Sequence, residues 1–219
     1  KLLQYLEDKT TIVSPKIILD KKRKATSEYI DSSKNVRSVR LLTWIPGRLW
    51  SSVNPQSNFL RFNLGQQCGK LTKTLRFFKH TEAYRNFEWD IAQSLWTSNF
   101  LHLFSAKEKK VISHFQSLFR KQFKSYQSLR KSIVHNDVND NNIVVSEDIK
   151  DPKVIGAIDY GDAIHTQTIN DLAIACSYAI MHHNDPLEAS LELVKGYHST
   201  FTLQEKEISH LYACIAMRL

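Results

Sequence analysis

The sequence predicts an α+β fold, mostly helical, with a small β-hairpin element set among the helices. Three observations predict it. Ser105-Ala-Lys-Glu108 is a capping box, and Val111, Phe115, Leu118, Phe119, Phe123 and Tyr126 follow at helical spacing. Residues 132–134, 143–145 and 154–158 are short apolar runs separated by the polar turns 135–142 and 146–153, the texture of strands. Nearer the start, residues 36–45 (VRSVRLLTWI) alternate and then become continuously apolar.

In chain order, residues 1–7 (KLLQYLE) read as the tail of a helix whose beginning is missing. Residues 15–19 are apolar and β-branched, and the basic run 21–24 marks an exposed strand end or turn. Residues 36–45 suit a strand entering a core, and Pro46-Gly47 stops it. The first 47 residues thus give a helix and two strands, too little to close a sheet-based domain alone. Residues 57–79 predict a helix despite Gly65 and Gly69. Asp185-Pro-Leu-Glu188 supplies an N-cap, a proline at the first helical position and an acid three residues on. Thr202-Leu-Gln-Glu205 starts the final helix in the same way, and that helix runs to Leu219.

The chain has 219 residues, 42% hydrophobic and 24% charged, which is the composition of a globular protein and excludes a disordered one. No apolar run approaches the ~18 residues of a membrane span, and no signal-peptide pattern opens the chain. Cys68, Cys176 and Cys214 are too widely spaced for a zinc motif and predict reduced, buried thiols in a cytoplasmic protein. The net charge of +8 invites a nucleic-acid partner, but its distribution argues against one. Residues 1–40 carry +5 and residues 41–134 carry +11, much of it on the polar faces of two helices. Residues 135–171 carry −6 and residues 172–219 carry −2. The acidic stretch is where the chemistry is concentrated.

That stretch reads Ile133-Val-His-Asn-Asp-Val-Asn-Asp-Asn-Asn-Ile-Val-Val145, then Val154-Ile-Gly-Ala-Ile-Asp-Tyr-Gly-Asp162, then Asn170-Asp-Leu-Ala173. Asp137 and Asn142 fall on a loop between two strands, and Asp159 ends a third. Paired strands let Asn142 and Asp159 face each other, two hard oxygen ligands suited to Mg²⁺, which completes its shell with water and phosphate. Asp137 lies five residues before Asn142, where it can accept or orient a hydroxyl proton beside that metal. These are the parts of a phosphoryl-transfer site.

His135-x-Asp137-x-x-x-x-Asn142, an apolar strand and Ile158-Asp159-Tyr-Gly161 together resemble the H-x-D-x-x-x-x-N and D-F-G signatures of the protein-kinase-like fold. With the later Asp171-Leu-Ala, the set resembles the aminoglycoside phosphotransferase/choline kinase superfamily. Asn139-Asp140, Gly161-Asp162 and Leu41-Leu-Thr-Trp-Ile-Pro-Gly47 are similar to its hydroxylysine kinase-like branch. The motifs follow the family order over roughly residues 15–180.

The resemblance implies a two-lobed fold: residues 1–47 as a truncated remnant of the N-terminal lobe, and residues 48–219 as a mostly helical C-terminal lobe, itself incomplete at its end. It implies that Asp137 is the base or hydroxyl-orienting residue, that Asn142 and Asp159 bind Mg²⁺, and that His135 braces the loop together with Asp171. Thr43 and Ile45 would belong to the hinge that reads the nucleotide base, with ATP or GTP as donor. The implied acceptor is a small cationic molecule bearing a hydroxyl, 5-hydroxylysine before an aminoglycoside, choline, ethanolamine or homoserine. Asp140 and Asp162 are either a hold for its ammonium group or solvated turn acids. Asn136 stands where the family usually has glycine, and Tyr160 where it has Phe or Trp.

Other readings stay open. Asp171 can be the acid of a helix capped by Thr168, and the Asp/Asn run can be turn-formers. His182-His183 looks like a metal pair, but compensating a helix dipole suits it better. No glycine-rich phosphate loop, strand lysine or pairing helix glutamate is identifiable, so the chain reads as a fragment, and the resemblance to the branch implies a larger fusion protein as its parent. The second function is a catalytically inactive kinase-like binding or regulatory module. The third, nucleic-acid binding by the basic helices of residues 57–131, lacks a reading motif.

Overall fold

The computed structural model describes residues 1–219 apart from Asp8, Thr11 and His182. The chain begins with α1 (Leu2–Glu7), β1 (Ile17–Ile18), β2 (Ser27–Ile30), β3 (Val36–Val39), β4 (Leu41–Leu42) and β5 (Arg48–Leu49). It continues through α2 (Asn58–Leu75), α3 (Ala106–Gln127), β6 (Lys131–Val134), β7 (Ile143–Val145), β8 (Val154–Ala157) and β9 (Ile164–Gln167). It closes with α4 (Asn170–Ala179), α5 (Pro186–Thr200) and α6 (Glu205–Arg218).

Local sequence starts the helices. The Ser57 side chain accepts from the Leu60 N–H, Ser105 and Glu108 form the expected capping box, and Asp185 caps α5 with Pro186 at its first position. On α2, Leu60, Leu64, Leu71 and Leu75 are buried and share one cluster with Leu193 and Tyr197 of α5. Each buried leucine is worth about 2 kcal/mol. Gly65 and Gly69 let α2 and α5 touch backbone to backbone: a Cβ on Gly65 would overlap the Leu193 carbonyl, and one on Gly196 the Phe62 carbonyl. The glycines that weaken the helix signal are what this packing requires. Helix α4 is buried nearly all round, which explains its apolar run without a polar face. Arg130 grips the buried Glu207 of α6 through Nε at 2.8 Å and Nη2 at 2.5 Å.

Among the described residues, four small sheets differ from the sequence expectation. Residues 36–45 do not form one strand entering a core: β3 pairs with β2 in an exposed hairpin, and β4 pairs with β1. The Asp31 side chain accepts from the Ser33 and Asn35 N–H groups and turns that hairpin. Only Ile45 of the segment is buried. The expected single hairpin is two sheets, because β7 pairs with β5 and β8, whereas β6 pairs with β9. Strand β8 stops at Ala157, two residues before Asp159. The final helix starts at Glu205, capped by Gln204 and Glu207; Thr202 instead gives its carbonyl to Arg130.

Val13 ties the N-terminal segment to β8: its N–H donates to the Ile155 carbonyl and its carbonyl accepts from Ala157. The three cysteines are free and buried. Among the described residues no helix is long and apolar enough to cross a membrane.

Candidate active site

A cleft of about 510 Å³ runs between the β1–β4 pair and the β5–β7–β8 sheet. Pro15, Ile17, Leu42, Leu49, Val144 and Ile158 make its walls apolar, and Thr43, Trp44, Ile45, Asp159 and Tyr160 also line it. The Thr43 N–H donates to the Lys16 carbonyl, and the Thr43 hydroxyl accepts from the Lys16 N–H. No hydrogen bond from the described residues engages the main-chain groups of Trp44 or Ile45. Peptide groups beside an apolar slot are the equipment for holding a flat heterocycle.

Residues 135–142 connect β6 to β7. The buried Asp171 carboxylate accepts from the His135 N–H at 2.9 Å and the Asn136 N–H at 2.8 Å. Burial pushes that carboxyl up, and the His135 side chain and the two N–H donors oppose the rise. The brace therefore runs through main-chain amides, not between the side chains of Asp171 and His135. Thr168 does not cap α4; its hydroxyl pairs with Ser132. The imidazole of His135 faces the other way, donating from Nε2 to the Ile158 carbonyl at 2.9 Å and accepting from the Asp137 N–H at 3.3 Å. Asn136 has φ +65°, a left-handed conformation that glycine or asparagine adopts at least cost.

Asn142 Nδ2 donates to the Asp137 carbonyl at 2.9 Å and to Asp137 Oδ2 at 2.7 Å, and Asn139 Nδ2 donates to the same oxygen at 2.9 Å. With Nδ2 so committed, Oδ1 is the Asn142 atom left to meet a cation. The Ile158 N–H donates to the Asn142 carbonyl, so the segment before Asp159 runs beside Asn142. Asp159 itself is left-handed (φ +58°), exposed, and accepts from the Gly161 N–H. Burial first, and then the Asp137 and Asp159 charges, push the Asp162 carboxyl up, while Arg85 and Arg218 pull it down. The charges of Asp137 and Asp159 thus both bear on Asp162.

Asp140 is not among them: its carbonyl accepts from the Ser51 N–H, and its carboxylate accepts from Asn141. His183 accepts from Arg61 at 3.0 Å, and His182 lies outside the described residues. Sequence reasoning missed Arg218, whose Nη2 donates to Asp137 Oδ1 at 2.6 Å. A basic residue in the last turn of a helix carries no signal beyond dipole compensation. Asp90 was missed too. It is buried and accepts from Ala92, Thr166 and Asn170.

Among the described residues no group of three or more His, Cys, Asp or Glu makes a ready metal cage. The amide oxygen of Asn142, with the exposed Asp159 carboxylate one residue beyond the Ile158 N–H that bonds Asn142, offers oxygen donors to a hard cation that draws its other ligands from water and phosphate. The residues present fit Mg²⁺ on those terms.

The chain matches the model of the phosphotransferase enzyme family over residues 1–205. It belongs to that family. It is 27% identical over 202 residues to hydroxylysine kinase of Bos taurus, covering 86% of this chain and 54% of that protein. It is likewise 27% identical over 210 residues to hydroxylysine kinase of Xenopus laevis, covering 87% and 55%. The chain spans about half the length of the curated relatives it matches. A microcompartment-associated aminopropanol kinase superposes with a TM-score of 0.78 at 18% identity, covering 99% of this chain and 68% of that one. An amicoumacin kinase in complex with AMP-PNP and Ca²⁺ superposes at 0.72 and 17% identity, covering 98% and 64%. The GDP complex of aminoglycoside 2'-phosphotransferase-IIIa superposes at 0.65 and 12%, covering 99% and 69%. The α+β fold is therefore the kinase-like fold of these enzymes.

Proposed function

We propose that this chain carries the phosphoryl-transfer site of a small-molecule kinase, which moves the γ-phosphoryl group of a nucleoside triphosphate to the hydroxyl of an amino alcohol or hydroxylated amino acid. One observation carries the reading: the Asn142 amide holds the Asp137 carboxylate at 2.7 Å, the Ile158 N–H bonds the Asn142 carbonyl, and the next residue, Asp159, lines the apolar cleft. In this reading the cleft separates an N-terminal lobe, residues 1–47, from a C-terminal lobe, residues 48–219. The nucleotide base lies in the cleft against the backbone of residues 43–45. Asn142 and Asp159 would hold Mg²⁺. When bound, Mg²⁺ supplies charge neutralisation across the phosphate oxygens.

Asp137 orients the acceptor hydroxyl and takes its proton as the new P–O bond forms and the bond to the nucleoside diphosphate breaks. Catalysis is mostly positioning, because a correctly held hydroxyl and phosphorus remove the entropic part of the barrier. Asp162 offers a second carboxylate near Asp137 for the ammonium group of the acceptor. Asp140, whose carboxylate accepts from its neighbour Asn141, is a weaker candidate for that task. The names of the hydroxylysine kinase and aminopropanol kinase relatives support an amine-bearing acceptor, with 5-hydroxylysine preferred. Neighbours hold an adenine nucleotide analogue in one case and GDP in another, so both ATP and GTP are tested as donors.

The test is phosphoryl transfer by the full-length protein with Mg²⁺ and either nucleotide. The acceptors are 5-hydroxylysine, aminopropanol, ethanolamine, choline, homoserine and an aminoglycoside. The expected result is a phosphomonoester on a hydroxylated amine. Binding of Mg²⁺-nucleotide without transfer to any acceptor would favour a regulatory module and reject the kinase reading.

A further inference from the structure

Asp137 is gripped from two sides. Its Oδ2 accepts from two amides of its own loop, whereas its Oδ1 accepts from Arg218, which reaches it from the last turn of α6. The Arg218 side chain keeps only 9% of its exposure. Its guanidinium lies 6.0 Å from the Trp89 ring centroid and 5.8 Å from that of Tyr178, and Nη1 donates to the Trp89 carbonyl at 3.3 Å. The Nε–H is sealed in with no partner among the described residues.

An exposed ion pair is worth little and moves freely. A part-buried one whose remaining donor is sealed from water costs desolvation that an apolar side chain would avoid. The fold therefore pays for a cation at this point, and the atom the cation meets is an oxygen of Asp137. A carboxylate fixed at three contacts cannot rotate about its side-chain bonds. Its remaining lone pair then points in one direction.

We propose, on the kinase reading above, that Arg218 is a positioning residue for phosphoryl transfer, holding Asp137 in the rotamer that meets the acceptor hydroxyl. Arg218 and Arg85 also place positive charge against the Asp162 carboxyl. Helix α6 thereby becomes part of the site, although its sequence carries no site motif. The role is distinct from binding the nucleotide, because Arg218 does not line the apolar cleft.

The experiment compares Arg218→Ala and Arg218→Lys with wild type in the full-length protein. It measures kcat and KM for nucleotide and acceptor, the nucleotide Kd, and rescue by added methylguanidinium. Misplacing a reacting group by about 1 Å costs about 10²-fold. The expected result is a kcat lowered about 10²-fold in Arg218→Ala, with nucleotide Kd unchanged and kcat partly restored by methylguanidinium. Arg218→Lys, which keeps the charge and is the measurement of record if the alanine variant does not fold, should keep nucleotide affinity but lose kcat. An active wild type whose folded variants retain wild-type kcat overturns the proposal alone, as does equal loss of nucleotide binding and kcat. A wild type that transfers no phosphoryl group overturns the kinase reading and this proposal with it.

Discussion

The imidazole of His135 donates to the Ile158 carbonyl at 2.9 Å while its ring lies 4.4 Å, centroid to centroid, from that of Tyr160. One side chain thus fixes the loop that carries Asp137 against the turn that carries Asp159. His135→Ala leaves a cavity against Tyr160 and strips the Ile158 carbonyl of its donor. Stability should fall on the order of 3 kcal/mol, read as a lower urea midpoint. An unchanged midpoint would show that the loop is held without the imidazole.

The proposed cation ligands are separable from the base. Asp159→Asn removes a charge but keeps an oxygen to accept from the Gly161 N–H. The Mg²⁺ concentration for half-maximal turnover should rise roughly 10–100-fold, since metal affinity follows ligand charge and orientation. An identical Mg²⁺ titration in the variant would remove Asp159 from the metal site.

Burial raises the folded-state pKa of Asp90 above the ordinary aspartate value of 3.8. As pH climbs past 3.8, the unfolded chain loses this proton first, so the folded state binds more protons and stability falls with rising pH. Asp90→Asn keeps an oxygen for the Ala92 N–H, Thr166 and Asn170 and cannot ionise. The variant should gain on wild type between a pH below 3.8 and neutrality, measured as the difference in urea midpoints. A difference that does not change with pH would contradict the buried charge as its cause.

Gly65→Ala sets two effects against each other. Helix propensity favours alanine by about 1 kcal/mol. The new Cβ would overlap the Leu193 carbonyl, and backbone cannot yield as a side chain can, so the overpacking cost of about 1–3 kcal/mol prevails. The expected outcome is a lower thermal midpoint. A stabilised variant would mean that α2 and α5 separate without loss.

Much of the fold was legible where a local rule decides the outcome. Ser105 with Glu108 and Asp185 with Pro186 start α3 and α5 because capping depends on neighbours three residues apart. His135, Asp137, Asn142 and Asp159 were legible because the loop and turn holding them are continuous in sequence. The two-residue strands β1, β4 and β5 are shorter than any alternation can register, and their pairing is set by tertiary contact. Strand β9 had no sequence expectation, and its partner β6 lies at least 30 positions earlier. Arg218 and Asp90 reach their partners from 81 and 76 residues away, and no spacing rule spans that distance.

The central claim is that Asp137 orients the hydroxyl which attacks the nucleotide. It is tested most directly by single-turnover phosphoryl transfer in Asp137→Asn beside a nucleotide titration of the same protein. Asparagine keeps an oxygen for the loop amides but cannot take a proton. The account predicts transfer slowed about 10²–10⁴-fold with nucleotide affinity unchanged. Transfer at the wild-type rate in the variant would contradict it.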